Sequence, residues 1–331
     1  CASAPDCGCA APVWSAWAAR DDGSVPEGDT IRKLARRIDD RFAGERVERC
    51  VTRDPRLVGV DLTGARLLHA DAVGKHLLVR FDDGRTLHTH LRLDGEVVVG
   101  PAARRPAWQR RLELWFPAGR LTAVDVPVLA VIPTAAEGDV VGHLGPDLCG
   151  PEAPDADEVV ARMTDRGEVP LAGALLDQRN VAGFGNVYAV ELPFLVGVSP
   201  NQPVGTVTGL AGLIALGTAL IRTNTERGPR NTTGRRLHTS DHWIYGRRPT
   251  DHRRPCPVCS TVLEGWTATA SPWQRTAVWC PMCQAFQPVR SVDLERARRL
   301  LALHPARRDP SFPVSAARRA RPDQPAARSS G

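Results

Sequence analysis

Four groups of residues in this 331-residue chain have types and spacings that could do chemistry. Cys256-x-x-Cys259 and Cys280-x-x-Cys283 are spaced so that four thiolates can close on one Zn2+ as a tetrahedron. The 20 residues between the pairs suffice for a β-hairpin. Such a set leaves no open position for water, so the metal would shape a binding element; the alternative is four ordinary buried thiols. Pro26-Glu27-Gly28-Asp29-Thr30 places a proline and acids at a helix start, which is either plain capping or the seat of a reactive pair. Lys75, in Gly74-Lys75-His76-Leu77-Leu78, is one of only two lysines among 43 basic residues, the other being Lys33. Arginine cannot give up its proton, so Lys75 is either a solvated turn residue or a group kept for phosphate or proton. Finally, Gly183 and Gly185 separate two apolar helical patterns in the run Leu175 to Tyr188. They permit a tight turn and leave the N–H groups of the second helix, near Asn186, open to a phosphate; a packing corner is the plainer reading.

The elements that must position these groups follow from the hydrophobic period. Ile31, Leu34, Ile38 and Phe42 predict a helix from about Asp29 to Gly44. Residues 45–132 read as short strands, among them 66–69, 77–81, 96–99 and 111–116, with hairpin-type turns at Asp83-Gly84 and Asp94-Gly95. Many short strands predict a sandwich or barrel. After Pro151–Pro154 the texture turns helical, with helices predicted over 156–163, 171–176, 186–195, 210–222 and 294–303. There is no internal repeat. The fold class is therefore α+β, with domains over 26–150 (β-sandwich with a leading helix), 151–250 (helical) and 251–287 (zinc hairpin). Residues 1–25 are expected to be a disordered extension or a wrong start, and 288–331 a basic, mostly disordered tail apart from the helix at 294–303.

Composition excludes some classes. Hydrophobic residues make up 42% and charged residues 24%, ordinary for a globular protein, and no apolar run reaches the length of a membrane span. The net charge of +6 fits a polyanion partner, but residues 289–331 alone carry ten Arg against four acids. Global charge is thus weak evidence, and the tail adds at most nonspecific, salt-sensitive affinity. Cys50 and Cys149 read as buried free thiols, and His88 and His90 as strand residues without a second metal.

Taken together and in this order, Pro-Glu-Gly-Asp-Thr, Gly-Lys-His-Leu-Leu, Leu-Leu-Asp-Gln-Arg-Asn-Val-Ala-Gly-Phe-Gly-Asn-Val-Tyr and Arg275 ahead of Cys280-Pro-Met-Cys-Gln resemble the formamidopyrimidine-DNA glycosylase and endonuclease VIII family. The likeness runs from Pro26 to about Gln284 and favours the endonuclease VIII branch, because the opening is not Pro-Glu-Leu-Pro-Glu. It implies a helix–two-turns–helix motif, a structural zinc and base-excision repair of double-stranded DNA by a glycosylase and abasic-site lyase. It further implies a monomer in the cytoplasm at the nucleoid. Pro26 would attack C1′ of a flipped nucleotide as a secondary amine, and the iminium formed would drive β,δ-elimination. Glu27 would be the general acid, Lys75 and Asn186 would hold phosphate, and Arg275 would clamp phosphate from the zinc hairpin. Arg92 and Leu93 would fill the hole left by the extruded base, or Leu93 would be core. No Arg-Phe pair stands near Val124–Leu129, which favours oxidised pyrimidines over purine lesions.

One departure matters. Behind Val25 the nitrogen of Pro26 is a tertiary amide and no nucleophile. The sequence reading is that Val25 stands where an initiating Met, coded by GTG, would be removed, so that the active protein begins at Pro26. Two rivals follow: a damaged-DNA binding protein without catalysis, if the extension stays, and an enzyme for formamidopyrimidine and 8-oxoguanine.

Overall fold

The computed structural model describes residues 26–100, 105–226, 228–235, 240–266 and 275–303. The expectations for residues 1–25 and for the tail beyond 303 lie outside the described residues. Apolar side chains gather into two cores. One draws on residues from Ile31 to Leu129, the other on residues from Leu148 to Leu301.

The first core begins with helix α1 (Gly28–Phe42), whose Ile31, Leu34, Ala35, Ile38 and Phe42 form one buried stripe. The helix stops where Gly44 takes a left-handed φ of 84°, a conformation that costs glycine little. Strands β1 (Arg49–Thr52), β2 (Leu67–Val73), β3 (His76–Phe81), β4 (Arg85–His90), β5 (Glu96–Gly100), β6 (Arg110–Phe116), β7 (Gly119–Val124) and β8 (Val128–Pro133) follow. They form two four-stranded antiparallel sheets, ordered β2-β3-β4-β8 and β1-β6-β7-β5. This is the sandwich that the alternating strands predict. Arg32 fastens α1 to β2 by bonds to the Asp71 carboxylate (2.6 Å) and the Ala72 carbonyl (2.8 Å).

The two turn signals part company. Asp83-Gly84 closes the β3–β4 hairpin, with Gly84 at φ 81°. Asp94-Gly95 closes no hairpin, because β4 lies in one sheet and β5 in the other. There the chain coils back on itself, the Gly95 amide donating to the Leu91 carbonyl at 2.9 Å. A Cβ at position 95 would fall 2.9 Å from Pro127, so glycine is needed for close approach between sheets.

After β8 comes α2 (Glu137–Val141), whose Glu137 accepts from Arg80 and Thr86 of the sandwich. The second core then holds α3 (Ala156–Thr164), α4 (Leu171–Leu176), α5 (Asn186–Leu195), the short strand β9 (Val207–Thr208) and α6 (Leu210–Glu226). All ten residues of α5 are buried, and its one charged side chain, Glu191, is met by the Thr232 hydroxyl and the Trp243, Ile244 and Tyr245 amides. A hairpin of β10 (Glu264–Trp266) and β11 (Ala277–Trp279) leads to β12 (Arg290–Ser291), which pairs with β9 in parallel, and to α7 (Leu294–Ala302). No helix among the described residues is long and apolar enough to cross a membrane.

Candidate active site

The first turn of α1 leaves the sandwich and enters the helical domain. Its Gly28 amide donates to the Gly183 carbonyl at 2.9 Å, and a Cβ at position 28 would sit 2.8 Å from the Gly183 Cα. Gly28 is therefore demanded by backbone contact, and Gly183 by its φ of 119°. Gln178 shapes the turn between α4 and α5: its side-chain nitrogen donates to the Leu176 and Phe184 carbonyls, and its oxygen accepts from the Gly183 amide. The corner so formed presents the start of α5 to α1.

Glu27 fills that corner. Its carboxylate, fully buried, accepts from the Gly185 amide at 2.9 Å and the Val187 amide at 2.8 Å. A Cβ on residue 185 would come within 2.5 Å of the carboxyl carbon. Two of the N–H groups at the helix start, those of Gly185 and Val187, are thus taken by Glu27. Burial pushes the Glu27 carboxyl above the ordinary range, while the charges of Arg230 and Lys75 and the Val187 amide pull it back. A carboxyl held up in this way keeps its proton more readily than an exposed glutamate does. Pro26, half-buried, precedes it in the chain.

Lys75 arrives from the turn between β2 and β3. Gly74 takes a φ of 57°, and a Cβ there would lie 3.0 Å from that of Ala182, so the turn is pressed against the helical domain. Burial lowers the Lys75 ammonium to about 8, with Arg275 and Arg230 repelling it and Glu27 and Asp29 attracting it. These mutual influences bring Glu27, Lys75 and Arg275 into one electrostatic neighbourhood. Asn186 is 7% exposed, and its side-chain amide donates to the Thr276 carbonyl at 2.8 Å. It thereby ties the segment that leads from Arg275 into β11 to α5, a job that the sequence expectation of a phosphate ligand did not include. Arg92, at φ 49°, and Leu93, 44% exposed, stand on the coil between the sheets, so Leu93 is not core.

The sulfur atoms of Cys256, Cys259, Cys280 and Cys283 lie within 4.8 Å of one another. Three of the separations are 3.4, 3.6 and 3.9 Å. A tetrahedral ion with bonds of about 2.3 Å needs sulfurs about 3.8 Å apart, so the residues fit a metal. Gln284, buried, anchors this knuckle: its oxygen accepts from the Cys280 amide and its nitrogen donates to the Val198 carbonyl, each at 2.9 Å. No second group of three or more such ligands converges among the described residues. His76, His88, His90 and His143 do cluster, with His76 and His88 ring nitrogens 2.8 Å apart.

Sequence reasoning missed a second buried charge cluster. Arg230, 2% exposed, grips the Asp29 carboxylate at 2.5 and 2.8 Å, and Asp29 is fully buried. Asp29 reads in the sequence as capping, and Arg230 lies in a Gly-Pro-Arg-Asn run without periodicity, so nothing local links them.

Residues 25–127 match the formamidopyrimidine-DNA glycosylase N-terminal domain. A curated relative, "Probable endonuclease 8 2" of Streptomyces coelicolor, is 43% identical over 269 residues, covering 79% of this chain and 94% of the relative. The chain belongs to the formamidopyrimidine-DNA glycosylase and endonuclease VIII family. Within that family it is also 36% identical to "DNA-(apurinic or apyrimidinic site) lyase Nei2" of Mycolicibacterium smegmatis, covering 78% of this chain and 99% of the relative. The crystal structure of Lactococcus lactis Fpg with DNA containing N7-benzyl-Fapy-dG shares the fold at a TM-score of 0.64 and 19% identity. It covers 79% of this chain and all of that one.

Proposed function

We propose that this chain is a bifunctional DNA glycosylase and abasic-site lyase of the endonuclease VIII kind, acting on oxidised bases, mainly pyrimidines, in double-stranded DNA. The observation that carries the reading is the meeting of Glu27, Lys75 and the Arg275 segment beside Pro26, from three separate elements. Pro26, once its nitrogen is free of Val25, attacks C1′ and expels the base. The resulting iminium accepts electrons as a C2′ proton leaves and the 3′ phosphate departs. Glu27 protonates the opening sugar ring. Lys75 and Arg275 grip the phosphates flanking the lesion. Arg92 and Leu93 enter the duplex where the nucleotide has left. The four cysteines hold one structural Zn2+, and the catalytic unit is a monomer working in the cytoplasm on the nucleoid.

The domain limits that go with this reading are 26–150, 151–250 and 251–287. The absence of an Arg-Phe pair near Val124–Leu129 supports the pyrimidine preference. Borohydride trapping on abasic-site DNA tests the reading, run on the protein beginning at Pro26 and on the 331-residue chain. A covalent complex with the short form alone fits an amine nucleophile. Tight binding by both with no complex from either would favour a damaged-DNA binding protein.

A further inference from the structure

The ion pair of Asp29 and Arg230 is not accounted for by the roles above. It joins four parts of the molecule. Asp29 sits in the first turn of α1, two residues after Glu27. Arg230 lies in the segment that follows α6 and also donates to the Thr30 hydroxyl at 2.8 Å. Tyr188 of α5 donates its hydroxyl to Asp29 at 3.3 Å and lies under the Arg230 guanidinium, 5.7 Å from ring centre to Cζ. Asn224 of α6 donates to the Tyr188 hydroxyl at 3.0 Å, and its oxygen accepts from the Asn231 amide at 2.9 Å.

Charges this deep are costly unless paired, and a buried ion pair adds little net stability over apolar packing. A device of this kind is better suited to fixing a geometry. Here the geometry in question is the turn that carries Pro26 and Glu27, which the sandwich core does not hold.

We propose that Asp29 and Arg230 are positioning residues for the Pro26–Glu27 pair, locking the first turn of α1 into the helical domain and balancing the field at the Glu27 carboxylate. The inference rests on the lyase reading. The groups that face Glu27 are Arg230 from the segment after α6, Lys75 from the β2–β3 turn, Asp29 from its own helix, Tyr188 from α5 and Tyr245 from the segment 240–245. Of these, Arg230 opposes the effect of burial most strongly and Asp29 works against it. Asp29 itself is raised by burial but held low overall by the Arg230 charge and hydrogen bonds.

Opposite charges on either side of one acid make a signed test possible. The protein beginning at Pro26 is compared with Asp29→Asn, Arg230→Gln, Arg230→Lys and the double Asp29→Asn/Arg230→Gln. The readout is the pH profile of single-turnover base release from duplex DNA, with borohydride trapping beside it. Arg230→Gln leaves a negative neighbour uncompensated, so the profile slides to higher pH by about one unit. Asp29→Asn leaves a positive one, so the profile slides to lower pH. The amine of Pro26 feels the same field and shifts in the same sense, so both limbs move together. The double variant returns towards the original position, and Arg230→Lys, which keeps the charge, holds it.

A uniform loss of rate with the limbs unmoved would overturn the proposal, because that is all a purely structural pair would give. Should Arg230→Gln fail to fold, opposite movement by Asp29→Asn and none by Arg230→Lys still supports it, and a shared, unshifted loss still sinks it. No trapped complex with the unaltered protein would overturn the lyase reading itself, and this inference with it.

Discussion

Two buried glutamates, Glu27 in the cleft and Glu113 in the sandwich, are treated in opposite ways. Glu113 of β6 meets Arg53 at 2.5 Å, Arg120 at 2.9 Å and Arg110 at 3.0 Å. Arg120 and Arg49 in turn flank the Trp115 ring. Burial works to raise Glu113, but the hydrogen bonds from Arg53 and Arg120 overcome it and hold the carboxyl low. Glu27 has two backbone amides and no guanidinium bonded to it, and burial prevails. What separates the two is the charge of the partners. Three guanidiniums outweigh burial at Glu113. Backbone amides do not at Glu27, nor at the equally buried Glu191, which accepts from three amides and the Thr232 hydroxyl and is raised all the same.

The sign of each effect follows from linkage. Glu113 adds stability above the ordinary carboxylate range and loses it as pH falls through its lowered value. Glu27 does the reverse, its contribution being present at low pH and lost as pH rises through its raised value. Acid should therefore weaken the β1-β6-β7-β5 sheet before it disturbs the cleft.

The contrast can be broken most decisively at Glu27. In the protein beginning at Pro26, Glu27→Gln should slow base release by about 10²- to 10⁴-fold, with little change in melting temperature. A loss below tenfold in single-turnover excision would remove the general acid from the account. The next effect concerns the Arg275 segment. Cys280→Ser, or a strong chelator, should release one metal per chain and cut trapping on abasic-site DNA by about 10- to 100-fold. Metal analysis beside the trapping assay would expose a hairpin that works without an ion.

Glu113→Ala sharpens the other side. It should lower stability by about 2 kcal/mol in denaturant unfolding, because three guanidiniums lose their shared partner, and leave trapping unchanged well below the melting point. A fall in trapping there would make the sandwich cluster part of the cleft. The smallest expected change belongs to Lys75→Met. The salt dependence of DNA affinity should flatten by about 0.9 in its logarithmic slope. The unaltered protein should lose affinity as pH rises through about 8, where Lys75 gives up its charge, and the variant should not. Titrations by fluorescence anisotropy at several salt concentrations and pH values measure both.

Much of this arrangement is legible in the sequence. The apolar stripe of α1, the Asp83-Gly84 hairpin and the mainly apolar run of α5 are local patterns, and each formed where the pattern put it. The cysteine pairs were equally plain, because metal-ligand spacing is a local property. The Asp94-Gly95 turn misled, since a turn signal fixes the bend of the chain and says nothing of which sheet receives the next strand. The start of α5 held a partner that no local pattern announces: its open amides invite an anion, and two of them receive the carboxylate of Glu27, 158 residues from Gly185.

The sequence by itself determined the elements, the two apolar cores, the thiolate set and the family, all of which rest on residue types at short spacing. The tertiary structure decided which charges meet. Asp29 and Arg230 lie 201 residues apart, and Asn186 reaches the Thr276 carbonyl across 90. Such pairings arise only when two cores close on each other and exclude water, because burial is what makes an unpaired charge costly and a paired one selective.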